Sequence, residues 1–177
     1  MKTTAELLAF VRTVPDFPKK GIMFRDITTL LKNPAAFSAS VDLLYDHYRT
    51  SSVDKVVGIE SRGFILGAAL AYRLGAGFVP VRKPGKLPAA ATRESYALEY
   101  GTDTLEMHND AVRSGERILL HDDLLATGGT MGAAARLVDR LGGTIVGYSF
   151  LIELSFLKGR ARLANGDVFS LLTYDSE

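Results

Sequence analysis

Apolar residues repeat with two different periods along this chain, and the changes of period divide it into elements. Near the start, Leu7, Leu8, Val11 and Val14 recur at helical spacing after Thr3 and Glu6, a pair spaced as a capping box, so a first helix is expected to run up to Pro15. A turn-rich stretch covers 15–21. Asn33-Pro34 then marks a second helix start, with Phe37, Val41, Leu44, Tyr45 and Tyr48 on one face. From residue 53 onward the two kinds of segment alternate. Strands are expected over 53–59, 77–81, 117–120, 144–152 and 168–173, and helices over 64–74, 130–141 and, as a short piece, 156–163.

Alternation of buried strands with helices predicts an α/β fold: an open, mainly parallel twisted sheet with helices on both faces. Two segments, 95–100 and 104–108, read instead as a two-stranded antiparallel excursion, reached through a Pro/Gly/Ala-rich stretch over 83–92. In open sheets of this kind ligands bind beyond the carboxyl ends of the strands, where the crossover direction changes. Four segments rich in chemistry fall at such expected ends: Glu60-Ser61-Arg62-Gly63, Arg82-Lys83-Pro84-Gly85-Lys86, the run from His121 to Thr130, and Glu153-Leu154.

Composition narrows the function classes. With 177 residues and 47% hydrophobic content the chain can bury one substantial core, which is read as a single domain over 1–177. A formal charge of +1 argues for neither nucleic acid nor an anionic membrane as partner, so any anion site must be local. The lack of cysteine excludes thiolate catalysis and disulfides. An apolar run near the start that stops at Arg12 is too short for a signal core, and the most apolar stretch, 63–81, contains Arg73. A cytoplasmic protein is the expectation.

The run His121-Asp122-Asp123-Leu124-Leu125-Ala126-Thr127-Gly128-Gly129-Thr130 sits between an apolar strand and a helical stripe. Its glycines permit tight turns, Thr127 and Thr130 offer hydroxyls, and a helix start presents free N–H groups at its positive dipole end. That combination suits a phosphate monoester. Two carboxylates beside it would repel phosphate, and instead fit sugar hydroxyls or a magnesium ion. The loop has neither the Walker ending nor the dinucleotide fingerprint. Arg62, Arg82, Lys83 and Lys86 supply charge for a second anion. Arg62 is the strongest of these because it opens a helix, and Lys86 lies between Gly85 and Pro88 as in a lid.

The ten-residue run resembles the 5-phosphoribosyl-1-pyrophosphate (PRPP) motif of the type I phosphoribosyltransferases. Pro15-Asp16-Phe17-Pro18, the segment from Gly21 to Ile27, Glu60-Ser61-Arg62-Gly63-Phe64, Arg82 to Pro88, Ser95 to Gly101 and Glu153-Leu154 follow in the order of the family's adenine branch. Phe24-Arg25-Asp26-Ile27 and Leu98-Glu99-Tyr100-Gly101 are specific to that branch. His121 departs from the family's apolar residue and reads as a partly buried histidine at a strand end, and Glu60 replaces an aspartate. The resemblance implies a small N-terminal hood, a flexible lid, a homodimer, and conversion of PRPP and adenine to AMP and pyrophosphate. Magnesium would be held mainly through PRPP. It further implies that Ala126, Thr127, Gly128, Gly129 and Thr130 hold the 5-phosphate, Asp122 and Asp123 the ribose hydroxyls, and Arg62, Arg82, Lys83 and Lys86 the pyrophosphate. The base would lie between Phe24 and Leu154, read by main chain near Met23 and Arg25, with Tyr100 nearby and Glu99 handling its proton. A PRPP-sensing regulator, a nucleotide-binding module and a transferase for another purine share parts of this pattern.

Overall fold

The computed structural model describes residues 3–97, 101–163 and 166–176. Thr3 and Glu6 form the expected capping box at the head of α1 (Thr4–Leu8), but the helix stops there. The chain then turns and enters β1 (Arg12–Val14), which pairs antiparallel with β2 (Phe24–Asp26). The expected helix up to Pro15 is thus corrected. Thr13 and Val14 are β-branched and lose χ1 freedom in a helix, whereas a ladder partner and the Arg12–Asp26 ion pair favour the strand. This small ribbon is the hood.

After a one-turn α2 (Thr28–Leu31), α3 (Pro34–Tyr48) begins as expected at Asn33, whose Oδ1 accepts the Ala36 N–H at 2.9 Å. Val41, Leu44 and Tyr48 are buried, and the Tyr48 hydroxyl donates to the Tyr148 carbonyl at 2.9 Å. Next come β3 (Lys55–Ile59), α4 (Gly63–Leu74) and β4 (Gly77–Val81). The antiparallel hairpin β5 (Ala91–Ala97) and β6 (Thr102–His108) joins the end of β4 through an Arg82–Glu106 bridge. The chain continues as β7 (Arg117–Leu125), α5 (Gly129–Arg140), β8 (Thr144–Leu154) and β9 (Asp167–Tyr174). Between β8 and β9 the expected short helix is two 3-10 turns, Ser155–Leu157 and Gly159–Arg162, divided by Lys158 in the left-handed region at φ 54°.

The main sheet has the order β4-β3-β7-β8-β9, with every pair parallel. One core cluster packs α5 and the hairpin against the sheet, and the other packs α1 to α4. From β3 the chain steps outward to β4 and returns to β7 on the other side, so the direction changes between β3 and β7. Their carboxyl ends carry Glu60-Ser61-Arg62 and the acidic run.

Two expectations about β7 need correction. The strand was expected to end at residue 120, but its pairing with β8 continues to Leu125↔Glu153, so His121, Asp122 and Asp123 lie within it. His121 is fully buried rather than at a strand end. Its ring fits over Gly67 of α4, where a Cβ would stand 3.2 Å from His121 Cδ2. Its Nδ1 meets Ser149 Oγ at 3.1 Å, its Nε2 has no hydrogen-bond partner, and burial pushes its pKa down to about 4. It is a neutral core residue.

Candidate active site

The acid pair sits against the start of α4. Asp123 is 6% exposed, and its Oδ2 takes Arg62 Nε at 2.7 Å. Asp122 Oδ1 accepts the Asp123 N–H at 2.9 Å and lies so close to α4 that a Cβ on Gly63 would come within 2.8 Å of it. Burial and the Asp123 charge push the Asp122 pKa well above the carboxylate range. Burial also raises Asp123, against the opposing pull of the Arg62 guanidinium. Asp123 is therefore the charged member that Arg62 compensates, and Asp122 the member that takes up a proton more readily.

Beyond β7, residues 126–130 wrap a cavity of about 70 Å³. Gly128 stands at φ +79°, and a Cβ there would meet the Gly159 carbonyl oxygen at 2.5 Å, so only glycine fits. Asn33 caps α3 and Thr3 caps α1, but α5 starts on Gly128 with no side-chain cap. An uncapped helix start beside such a cavity has the chemistry to take an anion.

A larger cavity of about 490 Å³ adjoins this cradle, with Arg62, Lys83, Tyr96, Asp103, Asp123 and Thr130 among its walls. On one flank Arg62 Cζ lies 5.2 Å from the Phe24 ring centroid, so one guanidinium links the hood to the acid pair. Arg25, next in β2, lies 4.0 Å over the Tyr174 ring, and Tyr174 is the ladder partner of Leu154. Phe24, Arg25 and Leu154 are thus gathered on this flank, and Met23 is 37% exposed beside them.

The opposite flank holds the remaining cations on carboxylates. Glu60 Oε2 takes Arg82 Nε at 3.2 Å and the Lys83 N–H at 3.0 Å, and Oε1 takes the Lys86 ammonium. Burial would raise Glu60, but Lys86, the Lys83 N–H and Arg82 outweigh it and hold its carboxyl down to about 2. The Lys83 ammonium sits on Asp103, which also accepts from the Tyr96 hydroxyl at 3.2 Å, and Tyr96 in turn accepts from Thr130 Oγ1 at 3.1 Å. Burial works against both charges of the Lys83–Asp103 pair, yet each partner stabilises the other, raising Lys83 and lowering Asp103.

This geometry has counterparts in known proteins. The model of the phosphoribosyl transferase domain matches residues 26–165. The chain belongs to that family. It is 64% identical over 170 residues to an adenine phosphoribosyltransferase of Solibacter usitatus, covering 96% of this chain and 98% of the relative. The crystal structure of the adenine phosphoribosyltransferase of Thermoanaerobacter pseudethanolicus superposes with a TM-score of 0.95 at 52% identity, covering 97% of this chain and 100% of that one. That of Saccharomyces cerevisiae, complexed with adenine and an imino-altritol bisphosphate, gives 0.90 at 42% identity, with 96% and 98% covered.

Among the residues singled out from the sequence, the structure brings Arg62, Lys83, Asp122, Asp123, Ala126 and Thr130 to the larger cavity. Thr127, Gly128 and Gly129 join Ala126 and Thr130 in the cradle. Arg82 and Lys86 are not among the walls of the larger cavity but are held by Glu60, which is. The expected lid over 83–92 is loop only to residue 90, because β5 begins at Ala91, and it is tied down where the Gly85 N–H donates to Glu106 Oε2 at 3.0 Å. Glu99 and Tyr100 lie outside the described residues. Sequence reasoning missed Tyr96 and Asp103 and gave Glu60 no role. Tyr96 and Asp103 are direct cross-strand partners in the hairpin, a pairing hidden from the sequence because the second strand was expected over 104–108 and in fact begins at Thr102.

Magnesium fits this donor set in one way. No group of three His, Asp or Glu side chains able to enclose a metal occurs among the described residues. Asp122 and Asp123 nevertheless offer hard oxygens at the wall of the cavity. Magnesium is typically held by one or two carboxylates together with water and substrate phosphates.

Proposed function

We propose that this chain is a purine-salvage enzyme that transfers the ribose 5-phosphate unit of PRPP to N9 of adenine, giving AMP and pyrophosphate. One observation carries the reading. A neutral cradle adjoins the cavity walled by a buried acid pair, and Arg62 in that wall touches both the acid and the aromatic ring of Phe24 in the hood. Identity of 64% to a relative named for this activity supports the choice of base.

Each part then has a task. N–H groups and hydroxyls of Ala126, Thr127, Gly128, Gly129 and Thr130 hold the 5-phosphate, which remains bound to the sugar throughout. Asp122 and Asp123 accept from the ribose hydroxyls, and Asp123 keeps its charge beside Arg62. Arg62, Arg82, Lys83 and Lys86 bind the departing pyrophosphate. Adenine lies between Phe24 and Leu154, with main-chain groups of Met23 and Arg25 reading its edge, since stacking alone cannot choose among purines. Tyr100 is taken as a further substrate-binding residue from the resemblance alone. Glu99 takes the proton that N9 loses. As the carbon–pyrophosphate bond lengthens, positive charge grows on the ribose, and the carboxylates near it stabilise that charge. Magnesium, bound through PRPP oxygens beside Asp122 and Asp123, would neutralise charge on the leaving group.

The enzyme acts as one domain over 1–177, as a cytoplasmic homodimer. No helix among the described residues is long and apolar enough to cross a membrane. An apolar strip on α4, with Ile65 43% and Tyr72 85% exposed, supports pairing of two copies. The test is to incubate the protein with PRPP, magnesium and each purine separately, and to measure pyrophosphate and nucleotide release. Adenine should give by far the highest kcat/KM. Equal or better efficiency with hypoxanthine or guanine would overturn the substrate assignment.

A further inference from the structure

Tyr174 touches both sides of the base compartment without belonging to it. It is the last residue of β9, the edge strand of the main sheet, and its ladder partner is Leu154. Its ring carries the Arg25 guanidinium at 4.0 Å. Arg25 follows Phe24 directly in β2, so the two proposed faces of the base are fastened to one residue.

The fastening is made on several sides. Arg25 Nη1 also donates to Thr13 Oγ1 on β1 at 2.6 Å, which ties the guanidinium to both strands of the hood ribbon. The Tyr174 backbone is held in turn by Ser155, whose hydroxyl lies 3.2 Å from the Tyr174 carbonyl and 2.6 Å from Asp175 Oδ1. A ribbon of two three-residue strands is not stable alone and needs an anchor on a larger body. A guanidinium stacked on a half-buried ring, with one of its N–H donors already satisfied, provides such an anchor.

We infer that Tyr174 is a positioning residue for base recognition: through Arg25 it sets the main chain of residues 23–25 at a fixed distance from Leu154. The inference rests on the adenine reading above. Its action falls first on the base side, because the acid pair and the phosphate cradle make no contact with it among those described, and it reaches Asp123 only at second hand through Phe24 and Arg62.

Steady-state kinetics of Tyr174→Leu and Tyr174→Phe, with adenine and PRPP varied separately, test this. The leucine variant should raise KM for adenine on the order of tenfold, the size expected of a lost partly desolvated cation–π contact, with a clearly smaller change in KM for PRPP. The phenylalanine variant keeps the ring and should behave as wild type. Hydrogen exchange at residues 23–25 should quicken in the leucine variant only. If Tyr174→Leu does not fold, Arg25→Met breaks the same contact from the other side and should show the same selective rise. An unchanged KM for adenine, an equal loss for PRPP, or a phenylalanine variant as impaired as leucine overturns the inference while leaving the substrate reading intact. A wild-type protein that turns over no adenine overturns both.

Discussion

The cradle at residues 126–130 and the cationic flank at Arg82, Lys83 and Lys86 are both proposed anion sites at one end of the same sheet, but they are built from different materials. The cradle carries no formal charge. Its donors are the uncapped N–H groups of α5 and the Thr127 hydroxyl, the Thr130 hydroxyl being given to Tyr96, and they are fixed by a backbone in which Gly128 has no room for a side chain. The flank consists of long charged side chains that rest on carboxylates, Arg82 and Lys86 on Glu60 and Lys83 on Asp103. A preorganised neutral cradle needs no rearrangement to hold a group that stays through the reaction. Cations that already have a resting partner can be lent to a leaving group and taken back when it departs, which lowers the net affinity for the product.

The sharpest way to break this comparison is to fill the cradle. Gly128→Ala puts a Cβ against the Gly159 carbonyl in a left-handed backbone, a conformation costing about 1 kcal/mol before any clash. The expected result is a loss of PRPP binding of roughly a hundredfold or more, the scale on which small displacements of positioned groups act. Calorimetry with PRPP reads it, and unchanged affinity would show that the loop is only a turn. Asp123→Asn comes next. It removes the charge that compensates Arg62 and the acceptor proposed for a ribose hydroxyl, a loss of about 1.5–3 kcal/mol, or roughly ten- to a hundredfold in kcat/KM at limiting PRPP. Folding should change much less, because Asn keeps the shape.

Glu60→Gln probes the other side of the comparison. Without the resting carboxylate, Arg82 and Lys86 remain free for the ligand, so pyrophosphate should inhibit more strongly. Partly exposed ion pairs contribute about 0.2–1 kcal/mol, so the inhibition constant should fall by roughly two- to fivefold. A weaker grip on pyrophosphate would show instead that Glu60 orients the cations for binding.

The smallest effect on activity is expected at His121, which sits next to the acid pair in sequence but in the core in space. Its folded pKa, about 4, lies below the 6.5 of an unperturbed histidine. The unfolded chain therefore binds the extra proton between these values. Stability contributed by the neutral ring is complete above pH 6.5 and falls as pH drops toward 4, by about 3 kcal/mol at most. Urea midpoints of wild type and His121→Leu across this window should show that loss in wild type and its absence in the variant, with kcat/KM at pH 7.5 little changed. Parallel pH profiles would place the titration elsewhere.

Much of this molecule was legible before any coordinates. The strand at 77–81, the helix start at Asn33-Pro34 and the phosphate loop before α5 all depend on local signals: apolar period, proline and glycine stereochemistry, and free N–H groups at a helix head. The failures share a cause as well. The residues of β1 happen to sit at helical spacing behind α1, and a three-residue strand is too short to show a period of its own. The acids of β7 look like loop residues because carboxylates are rare in buried strands, and only the continued pairing with β8 holds them there.

Sequence alone determined which chemistry the chain could offer, because donors, acceptors and charges are properties of residues and their order at a strand-to-helix turn is local. Tertiary structure decided which charges meet. That Arg62 serves both Phe24 and Asp123, that Glu60 gathers Arg82 and Lys86, that Tyr96 links Thr130 to Asp103, and that Arg25 lies on Tyr174 are all pairings between distant segments. Apart from the Tyr96–Asp103 link inside the hairpin, they arise only when the sheet brings the hood, the hairpin and the strand ends together, a condition of sheet order and register on which no local propensity bears.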